Sequence, residues 1–521
     1  MGVEPAVAGR QGNPARAERF NSGVLRRTGR DATQAAPSSP LVRRGCRRFR
    51  EDSPLCRRCV VMAPIEPSNP DPSWAWEAYR PDAKRPWTLA LAAHLYRRAG
   101  FGADWTRLER AVSEGPERTL KRLVEPRADV AAFDRSFDAH EQASIDPAGG
   151  SIETLAAWWL RRMLETPHPL QEKMTLFWHD FFGVSGATVG SARLMLRHVG
   201  ILRCHALGRL GPMLEAVVRD AALLLSYRGE ANRRSQPSET YAQRLMELLG
   251  FGPDQYTARD LRELARCFTG WFVIRQQLRY LEHEHDPGPK RLFGQEGPWR
   301  GPDAVRILLA QQATPRTVVR RLYRWFIAET EEPSDALLEP LVRQFAADYD
   351  IGRLVRTMLG SNWFFSDHAY RQKIKSPVEL ALGLATAMET LVPTQPLARE
   401  LSELGQTLGS PPTTRGWPAG PAWLNPFTLA RRHNLACQML SGAEPYGGRV
   451  DPLGLARRHG KNAPAAVAAF FLDLLVDGKV PASVRQRLGA QSALARSEAN
   501  SGPAIRRLVC AITALPEFQL A

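Results

Sequence analysis

Five ionisable side chains, Glu282, His283, Glu284, His285 and Asp286, crowd the stretch LEHEHDPGPK that runs from Leu281 to Lys290. On a strand, alternation would put His283 and His285 on one face and the two glutamates on the other. Two imidazoles and the Asp286 carboxylate would supply three metal ligands, and a fourth such as His179 would have to come from elsewhere in the chain. That set would suit metal-assisted hydrolysis, with Lys290 a further candidate for holding a ligand. The competing reading is a charged hairpin edge whose tip is Asp286-Pro287-Gly288-Pro289. The tip is the preferred expectation, because a Pro-Gly step turns the chain without needing a metal.

Two other constellations carry chemistry. The Pro/Gly-rich stretch Leu408 to Pro426 holds Arg415, Trp417, Trp423 and Asn425. Indole faces beside a guanidinium and an amide suit a sugar or an anionic polymer, through stacking and bidentate hydrogen bonds. Equally, the loop could plug the core with its tryptophans while Arg415 and Asn425 bond backbone carbonyls. Glu239 and Glu247 lie on one helical face about 12 Å apart along the axis, too far for a carboxylate pair cleaving a glycosidic bond. Arg244 is expected to pair with Glu247 instead.

What would position these residues is a series of helices. PWTLALAAHLYRRAGFG, SIETLAAWWLRRMLE, PSETYAQRLMELLGFG and TARDLRELARCFTGW combine apolar residues at helical spacing with start signals at Ser151, Ser238 and the Thr257/Asp260 capping box. Similar patterns continue to the closing segment GPAIRRLVCAITAL. Between Phe272 and Trp299 the pattern becomes strand-like around turn residues, which predicts a small hairpin or ribbon inserted near 272–299. The fold class expected is all-α: a large multi-helix domain over 86–521 with that insertion and a sub-boundary near 366–375, preceded by an arm over 62–85.

Composition narrows the function classes. The formal charge is +16, yet residues 1–61 hold 13 Arg against 5 Asp or Glu, so half the excess sits in a non-periodic leader. No zinc-finger, homeodomain or RNP pattern accompanies it, and nucleic-acid binding is disfavoured. The leader has no apolar stretch and cannot be an export signal as written. Translation is expected to start at Met62, and a cytoplasmic setting follows as written. Lysine is scarce, 8 against 62 Arg. Cys204, Cys267, Cys437 and Cys510 read as buried thiols, and the CRRC pair of Cys56 and Cys59 lacks the second half of a zinc site. No P-loop, GxGxxG or GxSxG motif occurs, and no cofactor is identified.

Several ordered segments resemble the domain of unknown function 1800 family of bacterial proteins. They are HLYRRAGFGADWTRLERAVSEGPERTLKRLVEP, WWLRRMLETPHPLQEKMTLFWHDFF, NRRSQPSETYAQRLMELLGFGPDQYTARDLRELARCFTGW, HDPGPKRLFGQEGPW, IKSPVEL, TTRGWPAGPAWLNPFTLARRHNLA and LPEFQ. The resemblance covers about residues 86–521 and implies an all-helical fold, in a family common in planctomycete-type bacteria whose members are often exported. It also implies a partner from a neighbouring uncharacterised family related to sulfatases. Two departures stand out: Arg244 replaces a family glutamate in AQRLMEL, and Phe181 stands where the family's WHxHF carries a second histidine. The loss of two positions suited to acid–base or metal chemistry favours a non-enzymatic binding or scaffold protein. That protein would act with a partner, on a polysaccharide or envelope component. The alternative is a metal-assisted hydrolase using His179, His285 and Asp286.

Overall fold

Short polar side chains start most of the helices. Ser151, Ser238 and Thr257 accept the backbone N–H groups of Thr154, Tyr241 and Asp260, and Asp260 returns the bond to Thr257 in a reciprocal box. Ser376 and Glu379 repeat that box at the start of Pro377–Ala387. Each such bond satisfies an N–H that the first helical turn would otherwise leave unmade.

The computed structural model describes residues 70–125, 129–144, 150–329, 331–447, 450–494 and 501–521. The basic leader with Cys46, Cys56 and Cys59 lies outside them. The described residues form one unit, in which helix packs on helix around a continuous apolar core. Among the described residues, no helix is long and apolar enough to cross a membrane. The apolar run AAVAAFFLDLLV is the helix Pro464–Val476, buried along most of its length.

The helix that matters most for function is Pro169–Phe182, which buries both its aromatic side chains and Glu172, Lys173 and His179. Proline at its first turn has no N–H to leave unpaired, and Gly183 ends it in the left-handed region at φ 57°. It packs on Ala192–His205 and on Leu89–Ala99. The chain from Lys373 to Lys375 is bonded to the last described residues. Lys375 N–H donates to Gln519 O at 2.8 Å, and Ala521 N–H to Lys373 O at 2.8 Å.

The expected β insertion is present as two antiparallel hairpins, Trp271–Ile274 with Gln277–Tyr280 and Lys290–Leu292 with Gln295–Gly297. Their turns are Arg275-Gln276 and Phe293-Gly294, with both residues of each at positive φ. Such turns match the right-handed twist of paired strands. LEHEHDPGP is therefore the connection between two hairpins, not the tip of one. Glu282–Glu284 form a short 3-10 turn, so His283 and His285 do not share a strand face. Two smaller expectations also change. Arg244 donates to Ser226 O at 2.7 Å, and the partner of Glu247 is Gln243 at 2.9 Å. Cys204 is exposed, and only Cys267 of the four expected thiols is fully buried.

Candidate functional site

The His-rich connection is held by its own polar groups. Asp286 receives Arg266 through both carboxylate oxygens, at 2.7 and 3.1 Å, and also accepts Gly288 N–H at 2.9 Å. The Arg266 bonds outweigh partial burial and hold the Asp286 carboxyl down at about 2. Lys290, almost fully buried, donates its ammonium to the carbonyls of Asp286 and Gly288 at 2.7 and 3.1 Å. His285 lies with Nδ1 3.0 Å from Thr269 O, and burial lowers its pKa. His283 is exposed on the 3-10 turn. These contacts do for the turn what a metal would otherwise do. Among the described residues, no three His, Cys, Asp or Glu side chains are grouped to hold a metal ion.

His179 sits in other company. Its ring packs against Trp159, His198 and Trp417, with centroids 5.5, 5.7 and 5.4 Å away. Among the described residues, neither ring nitrogen has a hydrogen-bond partner. Burial, with His198 adding to it, pushes the His179 pKa well below its ordinary value, so the ring is neutral. His198 Nδ1 in turn donates to Asp220 at 2.7 Å.

The contact between His179 and Trp417 shows where the tryptophan loop goes: it docks on the end of Pro169–Phe182. Trp417 N–H donates to Asp180 Oδ1 at 2.7 Å. Two glycines permit the approach. A Cβ on Gly183 would lie 2.4 Å from Thr414 O, and one on Gly416 (φ +93°) would lie 2.2 Å from Asp180 Oδ1. Trp417 and Trp423 are 9% and 5% exposed, so both indoles face inward. Asn425 caps Pro426–Leu440, accepting Thr428 N–H at 2.9 Å. Arg415 points outward with Pro418, Ala419, Pro421 and Ala422. Phe427 and Leu429 extend that apolar face, 62% and 42% exposed.

Beneath the loop lies a cluster of buried charges that sequence reasoning missed. Glu379 pairs with Lys173, and Lys373 reaches Glu329 at 3.0 Å and Glu379 at 3.7 Å. Both ammonium groups lie over the Trp325 ring, at 5.6 and 4.4 Å. Burial works against ionisation of Glu379, but the two lysines outweigh it and hold its carboxyl well below the usual range. Burial brings Lys173 down to about 8, with Glu379 opposing. Asp180 is pushed up to about 6 by burial, against the pull of the Trp417 N–H and Arg321. Arg432 donates to Lys375 O at 2.9 Å and to the Gln519 side chain at 3.3 Å, while Lys375 donates to Phe518 O at 2.8 Å.

Segments far apart in the chain thus converge. WHDFF supplies His179 and Asp180, KIKSPVEL supplies Lys373, Lys375 and Glu379, and TTRGWPAGPAW supplies Gly416 and Trp417. LARRHNLA adds Arg432, and LPEFQ adds Phe518 and Gln519. Lys173 and Lys373 are paired with Glu379 and Glu329 out of water, an arrangement that holds the elements beneath the loop together.

An all-helical domain with two small hairpins, a capped loop and a sealed ionic cluster beneath it defines the class of protein. The chain belongs to the family described as "Protein of unknown function (DUF1800)", which it matches over residues 94–520. No curated protein and no solved structure matches it.

Proposed function

We propose that this protein is a non-enzymatic binding or scaffold protein whose partner is another protein, docked on the outer face of residues 411–429. The observation that carries the reading is a division of labour within one loop. Trp417 and Gly416 are locked onto Asp180 and His179 and Trp423 is buried, while Pro418, Ala419, Pro421, Ala422, Phe427 and Leu429 stay in water. A rigid apolar ridge loses little conformational freedom on binding, and apolar clusters on a surface mark protein contacts. Arg415 at its edge suits an acidic residue on the partner. A polysaccharide would need open aromatic faces, and of the loop's aromatics only Phe427 offers one. A partner from the sulfatase-related family implied by the resemblance is the first to try.

The test is direct capture with that partner, using wild type and a Phe427→Asp, Leu429→Asp variant. The variant is expected to lose at least about tenfold in affinity, the scale of a modest hot spot, while its circular dichroism stays unchanged. Equal binding by wild type and variant, or binding of an envelope polysaccharide instead, would refute the protein-docking reading. The metal-assisted hydrolase built on His179, His285 and Asp286 would require Asp286 to leave Arg266. Stoichiometric metal that is lost in His285→Ala would favour it.

A further inference from the structure

The buried charges around Lys375 do not balance. Lys173, Lys373, Lys375, Arg97, Arg98 and Arg432 share this region with Glu329, Glu379, Asp477 and Asp180 as their carboxylates. Arg97 has Asp477, at 2.7 Å, and the two lysines above have the glutamates. Arg98 and Arg432 bond only uncharged oxygens: Ile327 O and Ala369 O for one, Lys375 O and the Gln519 amide for the other. Among the described residues, several guanidinium nitrogens have no hydrogen-bond partner, namely Arg97 Nε, Arg98 Nε and Nη1, and Arg432 Nε. Buried charges are ordinarily paired, so this corner of the core is short of negative charge.

Lys375 is the group best placed to supply it. Its Nζ is buried and meets only the carbonyl oxygen of Phe518, at 2.8 Å, and the face of that residue's ring, at 4.3 Å. Burial, with Arg97 next, brings its pKa down to about 7, so much of it is a free amine in neutral solution. A cavity of about 30 Å³ lies beside it, lined by Arg97, Lys375, Glu379 and Phe518 among alanines and leucines. That space takes one or two water-sized bodies, too little for a sugar or nucleotide and enough for carbon dioxide.

We propose that Lys375 is a carbamylation site for carbon dioxide. The lone pair on Nζ forms a bond to the carbon of CO2, one C=O electron pair moves onto oxygen, and a proton leaves the nitrogen for solvent. The product is a carbamate carrying one negative charge and two acceptor oxygens. It converts a cation in a cation-rich corner into an anion beside the cavity that Arg97, with its unused Nε–H, also lines. An aldehyde would form an imine without that charge, which is why CO2 fits the surroundings better.

The full chain would be equilibrated with carbon-13 bicarbonate at pH 8, alkylated with a trialkyloxonium salt to fix any carbamate, digested and mapped by mass. The expected result is the labelled carbamate ester on Lys375 in most molecules, with exposed lysines such as Lys121 unlabelled. A single carbon-13 carbamate resonance should vanish in Lys375→Met. If that variant does not fold, the peptide map of the wild type still decides. An unlabelled Lys375, or label spread evenly over the exposed lysines, overturns the proposal. So does a bicarbonate-dependent rise in melting temperature without label at Lys375, which would mean reversible anion binding only.

Discussion

Replacing Asp180 with asparagine should make this protein more stable, and by an amount set by pH. Asp180 is buried in the docking site of the loop and accepts Trp417 N–H through Oδ1. Its carboxyl ionises at about 6 in the folded chain, against 3.8 for an ordinary aspartate. A carboxyl raised in this way holds its proton in the fold while the unfolded chain has already lost it, so stability falls as pH rises from 3.8 to about 6. Above that window the loss is complete. At about 1.4 kcal/mol per pH unit it amounts to about 3 kcal/mol. Asparagine keeps the shape and the acceptor oxygen and has nothing to ionise. Urea unfolding of wild type and Asp180→Asn at fixed ionic strength should therefore give curves that coincide near pH 4. They should separate through pH 6, with the variant ahead by up to about 3 kcal/mol at pH 8. The protonation of His179 is common to both proteins and cancels in the difference. A variant less stable than wild type at pH 8, or a difference that does not change with pH, would refute the account of this site.

Other perturbations test its remaining parts. Glu379→Gln leaves Lys173 without its carboxylate and Lys373 with Glu329 alone, and should cost about 3–5 kcal/mol in urea unfolding; adding Lys173→Met should restore much of that loss. Gly416→Ala forces a side chain into Asp180 Oδ1 at a positive φ, so limited proteolysis should cut within 411–425 far faster than in wild type, and an unchanged digest would sink the docking geometry. Asp286→Asn gives up the bidentate Arg266 pair, at a cost of under about 1 kcal/mol because the pair is partly solvated. The depressed Asp286 carboxyl stabilises the fold above its unfolded value of 3.8 and stops doing so as pH falls through about 2. The difference between Asp286→Asn and wild type should therefore be present at pH 7 and shrink towards zero at pH 2, as read by thermal unfolding.

How much of this could be read from the chain depends on how local the cause is. Capping at Ser151, Ser238 and Thr257 was legible because donor and acceptor lie three residues apart. The hairpins were legible as a region, but their turns were not. Pro287-Gly288-Pro289 is a loud local signal, whereas Arg275-Gln276 has no glycine or asparagine to announce its left-handed backbone. The inward turn of Trp417 depends on Gly183 and Gly416 letting two backbones meet across a separation no periodicity reports. The ionic cluster was the least visible, since Lys173 and Glu379 stand 206 residues apart and lysine ordinarily signals a surface. One clue was available. In a chain with only 8 lysines against 62 arginines, each lysine is conspicuous, and Lys173, Lys290, Lys373 and Lys375 are all buried. Where a charge must sit in the core as a compact ammonium, arginine does not substitute for it.

The bond from Lys375 to Phe518 and that from Arg432 to Gln519 also carry a timing. A ribosome delivers Lys173 long before Glu379, and both long before residue 519, so the lysines wait in a half-built core without the groups that complete their surroundings. Residues 515–519 emerge after both, and they close the cluster on which the tryptophan loop rests. The loop therefore cannot gain its full support before Gln519 has emerged, and a chain cut before Phe518 should expose an unfinished, cation-rich core to aggregation or proteolysis.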